Sequence, residues 1–372
     1  MNKTKLKRKK RVLAIFLLCS LSLLYPTVSL SQNLSFTKAE ASIHYGYVAP
    51  HHDAMQHLFK GHSPTYEFTV SWKTKGSQSW HHLYNYPYLG IGFAYTDMSY
   101  PEVLGKAYSV IPSATFPLIN YRTYSLNLKT ALGLAYLTKK YDRLENYRNT
   151  AIGSNLNVAV NFVLENDFLI GETFSVSAGI GVLHFSNGRT RTPNLGVNIP
   201  SLKLGMSYNN PKAKAVKEPA YTEPKERSSE IIVIASGGLA AEYPPGSNNN
   251  FRADISSLLN YPISKKHRLG IGYDIFYYYN QENLLSHIDE TYVKELFNHG
   301  LFISFQFDFS RLAFVIQNGI YLYDKYNYQQ SLLYHRVGFR YRIYKNIILN
   351  LSMKTHFSRA QFIETGIGYR FN

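Results

Sequence analysis

The run His184-Phe185-Ser186-Asn187-Gly188 holds residue types that can do chemistry at a useful spacing. Along a β-strand, residues two apart point to the same face. A histidine and a serine placed so bring an imidazole base beside a hydroxyl, which is what serine-dependent acyl transfer requires. The same face continues backwards through Val182, Ile180, Ala178, Val176 and Phe174. The opposite face carries Leu183, Gly181, Gly179, Ser177 and Ser175. The pair therefore stands where an apolar face stops. There it can meet an ester whose acyl chains stay in a lipid layer, or serve as a pair of interfacial residues bonded to their neighbours.

Strands must position this pair, and alternation with period two dominates the chain. Tyr66, Phe68, Val70 and Trp72 alternate with Glu67, Thr69, Ser71 and Lys73. Leu89, Ile91, Phe93 and Tyr95 alternate with small residues, and Leu156 to Leu164 alternates with Asn and Ala. With 32 Tyr and 22 Phe in 372 residues, the aromatics fall near strand ends, as interface girdles do. Many segments have about the 9–11 residues that a tilted spanning strand needs. The pattern predicts an all-β, transmembrane antiparallel barrel protein and excludes a helical membrane protein. Ile363, Thr365, Ile367, Tyr369 and Phe371 share a face, as expected of a closing barrel strand.

Residues 1–31 read as a secretory signal peptide, with a basic start, the apolar run Val12 to Leu24 and small residues at Ser29 and Ser31. The formal charge is +16; this segment carries seven positive residues and no acidic ones, which leaves +9 for the rest. Nucleic acid is a poor partner for an exported chain, and phosphate-bearing lipid surfaces are a better one. Cys19, the single cysteine, lies in the apolar run, so neither disulfides nor a thiolate metal site are expected. His51, His52, His57, His62, His81 and His82 lack the spacing of a zinc signature and are expected at surfaces or interfaces. No metal and no cofactor is expected.

The chain repeats itself. Leu89-Gly90-Ile91-Gly92-Phe93 matches Leu269-Gly270-Ile271-Gly272-Tyr273, and His184-Phe185-Ser186 matches His356-Phe357-Ser358. Between them, Gly133-Leu134-Ala135-Tyr136-Leu137 parallels Gly319-Ile320-Tyr321-Leu322-Tyr323. Three colinear anchors predict about sixteen strands as two duplicated eight-stranded units, 32–208 and 230–372. The Pro-, Lys- and Glu-rich segment 209–229 reads as a polar periplasmic linker. Its length favours two tandem barrels over the alternative, one sixteen-stranded barrel. In the second unit, His356 and Ser358 share their face with Asn350, Ser352 and Lys354, so the pair should point into the lumen, as a duplicated remnant or a structural lumen pair and not a second active site.

The stretch His184-Phe185-Ser186-Asn187-Gly188, followed by Pro193-Asn194-Leu195-Gly196, resembles the outer-membrane lipid A 3-O-deacylase family, mainly over residues 40–208. The resemblance implies Ser186 as nucleophile, His184 as base, and Asn187 with the backbone near Gly188 or Arg189 as oxyanion stabilisers. The family's triad acid falls at Asn198, which can orient a histidine through its amide oxygen but brings no charge. Glu165, Asp167 and Glu172 are the acids near enough in sequence to substitute. Arg189, Arg191 and Lys203 are expected to grip lipid A phosphates. The reading is a carboxylic ester hydrolase in the outer membrane of a Gram-negative bacterium, acting on lipid A of lipopolysaccharide among outer-membrane lipids. The alternative is a non-catalytic barrel serving as a pore, lipid-binding protein or scaffold.

Overall fold

The structure is a computed structural model that describes residues 36–215, 228–278, 297–324, 331–357 and 359–371. The expected signal peptide, Ser358 and most of the expected linker lie outside these residues. The chain forms two closed antiparallel barrels of eight strands each. The first contains β1 (Lys38–Tyr47), β2 (His62–Lys73), β3 (Tyr88–Asp97), β4 (Lys106–Asn120), β5 (Tyr124–Leu137), β6 (Leu156–Ile170), β7 (Phe174–Ser186) and β8 (Val197–Asn209). The second contains β9 (Glu230–Ala241), β10 (Asn249–Pro262), β11 (His267–Tyr278), β12 (Phe297–Phe309), β13 (Leu312–Tyr323), β14 (Leu333–Tyr344), β15 (Ile347–His356) and β16 (Arg359–Phe371). Within each barrel, each strand pairs with the next. β1 pairing with β8 closes one barrel, and β9 pairing with β16 closes the other. The three repeat anchors fall on the third, seventh and fifth strands of both barrels.

Closure follows from the solvent. A bilayer interior offers no partner for a backbone N–H, so a spanning sheet leaves no edge. The alternation then sorts side chains. Phe68, Phe93, Phe162, Ile180, Leu202 and Leu204 stand outward, each about half exposed. On β5, Tyr124 and Tyr136 mark the two girdles. They are twelve residues apart. That is about 40 Å along the strand and, at a tilt of roughly 40°, about 30 Å of bilayer. Tyr66, Tyr95 and Tyr108 continue the girdle near Tyr136, while Tyr121, Phe168, Phe174 and Tyr208 continue the other.

Inside, each lumen is filled with paired charge. In the first barrel Lys203 is held by Glu40 (2.6 Å) and Glu165, and Lys129 by Glu67 (2.6 Å), which also meets His44 (3.3 Å). In the second, Arg336 lies within ion-pair distance of Asp254, Asp274 and Glu364. There Lys354 Nζ sits 3.1 Å from the Phe276 ring centroid, flanked by Tyr278, Tyr321 and Tyr334. At the loop end of the first barrel, Val48, Met55, Leu58, Met98, Leu104 and Ile152 pack over Phe185, Val197 and Ile199. This apolar cap fixes the loops that surround His184 and Ser186.

Removing one partner of a buried ion pair strands the other. Lys203→Met leaves Glu40 and Glu165 without their shared cation, and should cost about 3–5 kcal/mol of barrel stability. It should lower the temperature at which folded gel mobility is lost. Unchanged heat-modifiability would refute the lumenal role.

Candidate active site

The site forms where β7 and β8 leave the sheet. The register sets Asn198 directly opposite His184 and Val158 opposite Ser186. Val158 in turn faces Leu134, two residues inward of Tyr136. The pair is thus level with the girdle at the loop end. Phe174, Val176, Ile180 and Val182, on the same face, stand exposed. His184 is half-buried, and Ser186 is buried beneath the 187–196 loop.

Asn198 accepts a hydrogen bond from His184 at 2.5 Å, between Oδ1 and Nδ1. Its amide nitrogen meets His51 Nδ1 at 3.1 Å, and His51 Nε2 meets the Leu195 carbonyl at 2.9 Å. This chain has one consistent polarity. A carbonyl can only accept, so His51 carries a hydrogen on Nε2; its Nδ1 is 3.1 Å from the Asn198 amide nitrogen and a longer 3.5 Å from the Ala49 carbonyl, so the closer contact, with Nδ1 accepting, sets the polarity. The Asn198 amide must then turn its nitrogen to His51 and its oxygen to His184. His184 consequently holds its hydrogen on Nδ1, which leaves the Nε2 lone pair available as a base. The neighbouring Gly196 has φ +81°, and a Cβ there would lie 2.9 Å from the His184 ring. Glycine is required for both reasons.

Ser186 Oγ accepts from the Gly188 backbone N–H at 3.2 Å and from Asn194 Nδ2 at 2.9 Å. Among the described residues, no hydrogen bond joins His184 to Ser186. Catalytic contacts of this kind are commonly long until substrate is bound. Asn187 does not serve the hydroxyl. Its side-chain amide donates to Ser154 Oγ (3.0 Å) and to the Arg191 carbonyl (3.1 Å), and its backbone N–H donates to Asn194 Oδ1 (3.0 Å). The second donor at Ser186 is therefore Asn194. Asn194 lay in the quoted motif without a role, because strand parity does not extend into a loop.

The proposed substitute acids are elsewhere. Glu165 points into the lumen against Lys203, and Asp167 pairs with Lys38 at the other end of the barrel. Glu172 sits in the β6–β7 turn, also at that end. Asn198 and His51 are the groups at His184. Lys203, expected to grip lipid phosphate, is buried in the lumen, because Leu202 and Leu204 beside it take the outward face. Arg189 turns to Glu242 of the second barrel at 2.8 Å. Arg191 is exposed on the loop. His356 points into the lumen of the second barrel, 2.9 Å from the Tyr321 hydroxyl. Among the described residues, no cluster of His, Cys, Asp and Glu has the arrangement of a metal site.

Residues 65–207 match the family model of lipid A 3-O-deacylase. The first barrel belongs to the lipid A 3-O-deacylase family. Residues 229–372 match the model of the acyloxyacyl hydrolase C-terminal domain, which corresponds to the second barrel. No curated protein matches the chain. Among solved structures, the outer-membrane enzyme PagL is 19% identical, over 45% of this chain and 97% of its own, with a TM-score of 0.31. Neisserial surface protein A is 11% identical, over 47% and 97%, with a TM-score of 0.32. The Acinetobacter baumannii outer-membrane protein Omp33 is 10% identical, over 92% and 100%, with a TM-score of 0.16.

A serine hydroxyl held by two donors, as that of Ser186 is, should react with a fluorophosphonate. Ser186→Ala should abolish labelling. Asn194→Ala, losing one donor, should slow it by about a hundredfold. Labelling at the wild-type rate in Asn194→Ala would remove Asn194 from the site.

Proposed function

We propose that the protein is an outer-membrane serine esterase that removes an ester-linked acyl chain from lipid A. The observation that carries this reading is the His184–Asn198–His51 chain, which leaves an imidazole lone pair on the same strand face as Ser186. Membership of the first barrel in the deacylase family supports it. So does the height of the pair, level with the aromatic girdle, where lipid headgroups and the first acyl carbons lie.

Ser186 Oγ attacks the ester carbonyl carbon while His184 Nε2 takes the hydroxyl proton. Negative charge gathers on the former carbonyl oxygen, which settles toward the Gly188 N–H and Asn194 Nδ2. The tetrahedral species expels the lipid A hydroxyl, which leaves with the proton from His184. An acyl-serine remains. Water attacks it, gives a proton to His184, and the carboxylic acid departs as Ser186 recovers its hydrogen. Asn198 holds the imidazole in the required tautomer, but it contributes only a dipole toward the imidazolium. The driving force is smaller than a carboxylate gives. Both lumens are crossed by ion pairs, which speaks against the pore reading.

Mass spectrometry of lipid A from cells expressing the wild type should show loss of one acyl chain, absent with Ser186→Ala. Identical acylation with both, across lipid A of varied structure, would end the esterase reading. Asn198→Leu removes the amide that holds His184 and should lower kcat by about a hundredfold. Asn198→Asp restores a charge opposite the imidazolium and should raise kcat above wild type. A lower kcat in Asn198→Asp would show that the neutral amide is the working partner.

A further inference from the structure

The loop that carries the Ser186 donors is gripped from outside by the second barrel. Ala241, the last residue of β9, donates its N–H to the Arg189 carbonyl at 2.8 Å. The Ala241 carbonyl accepts from Arg189 Nε at 3.0 Å. The next residue, Glu242, takes the Arg189 guanidinium at 2.8 Å and accepts the Thr192 hydroxyl on its backbone oxygen at 3.0 Å. Glu242 is itself buried and held from its other side by Arg252 of β10. Over Gly188 lie Ile363 of β16 and Met353 of β15, so close that a Cβ at Gly188 would come within 2.5 Å of Ile363. Arg359, at the start of β16, reaches His52 Nε2 at 3.2 Å, beside His51.

These contacts fall on a strained segment. Gly188 has φ +61° and Arg189 φ +64°. A residue with a Cβ enters that region at a cost, and it stays there when its surroundings hold it. Relaxation of Arg189 would rotate the 188–189 backbone and swing the Gly188 N–H away from Ser186 Oγ. The two barrels also meet at their other end. There Tyr84 stacks on Phe309 with centroids 4.6 Å apart, and its hydroxyl donates to the Lys266 carbonyl at 3.2 Å. That second contact holds the barrels together independently of the loop.

We propose that the second barrel is a positioning element for the active site, and that the Glu242–Arg189 pair clamps the 187–192 loop so that the Gly188 N–H faces Ser186. The proposal rests on Ser186 being the nucleophile. It gives the C-terminal barrel a role in the reaction although its own His356 faces the lumen. Arg189 is then a structural cation of the loop and not a ligand for lipid phosphate.

The test uses the full chain in detergent, with Glu242→Gln, Arg189→Met, the double variant and Arg189→Lys. Hydrogen exchange is followed across 187–196, together with kcat and KM for lipid A deacylation. Each single variant should raise exchange about tenfold and lower kcat about tenfold with KM unchanged, and the double should add little, as for two ends of one contact. Arg189→Lys, which keeps the charge, should recover part of both. Unchanged exchange in both single variants overturns the clamp whether or not the protein is active. Raised exchange with unaltered kcat, in a protein that Ser186→Ala silences, overturns its role in the reaction. A rise in KM confined to the Arg189 variants would return Arg189 to lipid binding. A wild type without Ser186-dependent hydrolysis refutes the esterase reading, and the clamp then stands or falls on exchange alone.

Discussion

Closure of the sheet is the constraint on which the rest of this structure depends. A strand in a bilayer must pair every backbone group, and a closed barrel does so without an edge. Closure gives each side chain one of two environments. The outward row meets acyl chains and is apolar; the inward row meets its counterparts across a narrow lumen and carries charge in pairs, as with Lys203 between Glu40 and Glu165. A polar pair that acts on lipid has few places to go. It belongs at the end of an outward row, and His184 and Ser186 stand there.

The inward row contributes to the site as well. Phe185, between His184 and Ser186, points the other way into the apolar cap formed by the loops. The same strand thus presents His184 and Ser186 on one side and anchors itself on the other. Ser154 and Gly153 of the β5–β6 loop pack against the 187–196 loop, where Asn187 binds Ser154 and a Cβ at Gly153 would meet the Pro193 carbonyl. The second barrel completes this enclosure through Ala241, Glu242 and Ile363. The Ser186 hydroxyl is consequently held by a loop with support on three sides.

An amide opposite His184 has a consequence of its own. A carboxylate accepts from histidine in any orientation, whereas an amide must be told which way to face. His51 supplies that instruction, since its far nitrogen is committed to the Leu195 carbonyl. The histidines of the first loops show no metal spacing, and their sequence context predicts surfaces or interfaces. One of them works as the third link of a hydrogen-bonded chain, a role that depends on a contact across 147 residues.

Period-two patterning by itself determined the faces. It put His184 and Ser186 outward and His356 inward, and it separated the apolar belt from the charged rows. The same parity turns Lys203 inward, between outward Leu202 and Leu204, away from lipid phosphate and toward Glu40 and Glu165. Motif spacing marked the site at Ser186 and Asn198. The repeat anchors and the length of the linker favoured two barrels over one, and tertiary structure closed each on itself. Tertiary structure alone decided the rest: the opposition of Asn198 to His184, the approach of His51, the exchange of Asn187 for Asn194 at the hydroxyl, and the grip of Glu242 on Arg189. Alternation is a local property of a chain in an anisotropic solvent, so sequence records it. Register, loop path and barrel packing are set by contacts between distant residues, and no short-range pattern encodes them.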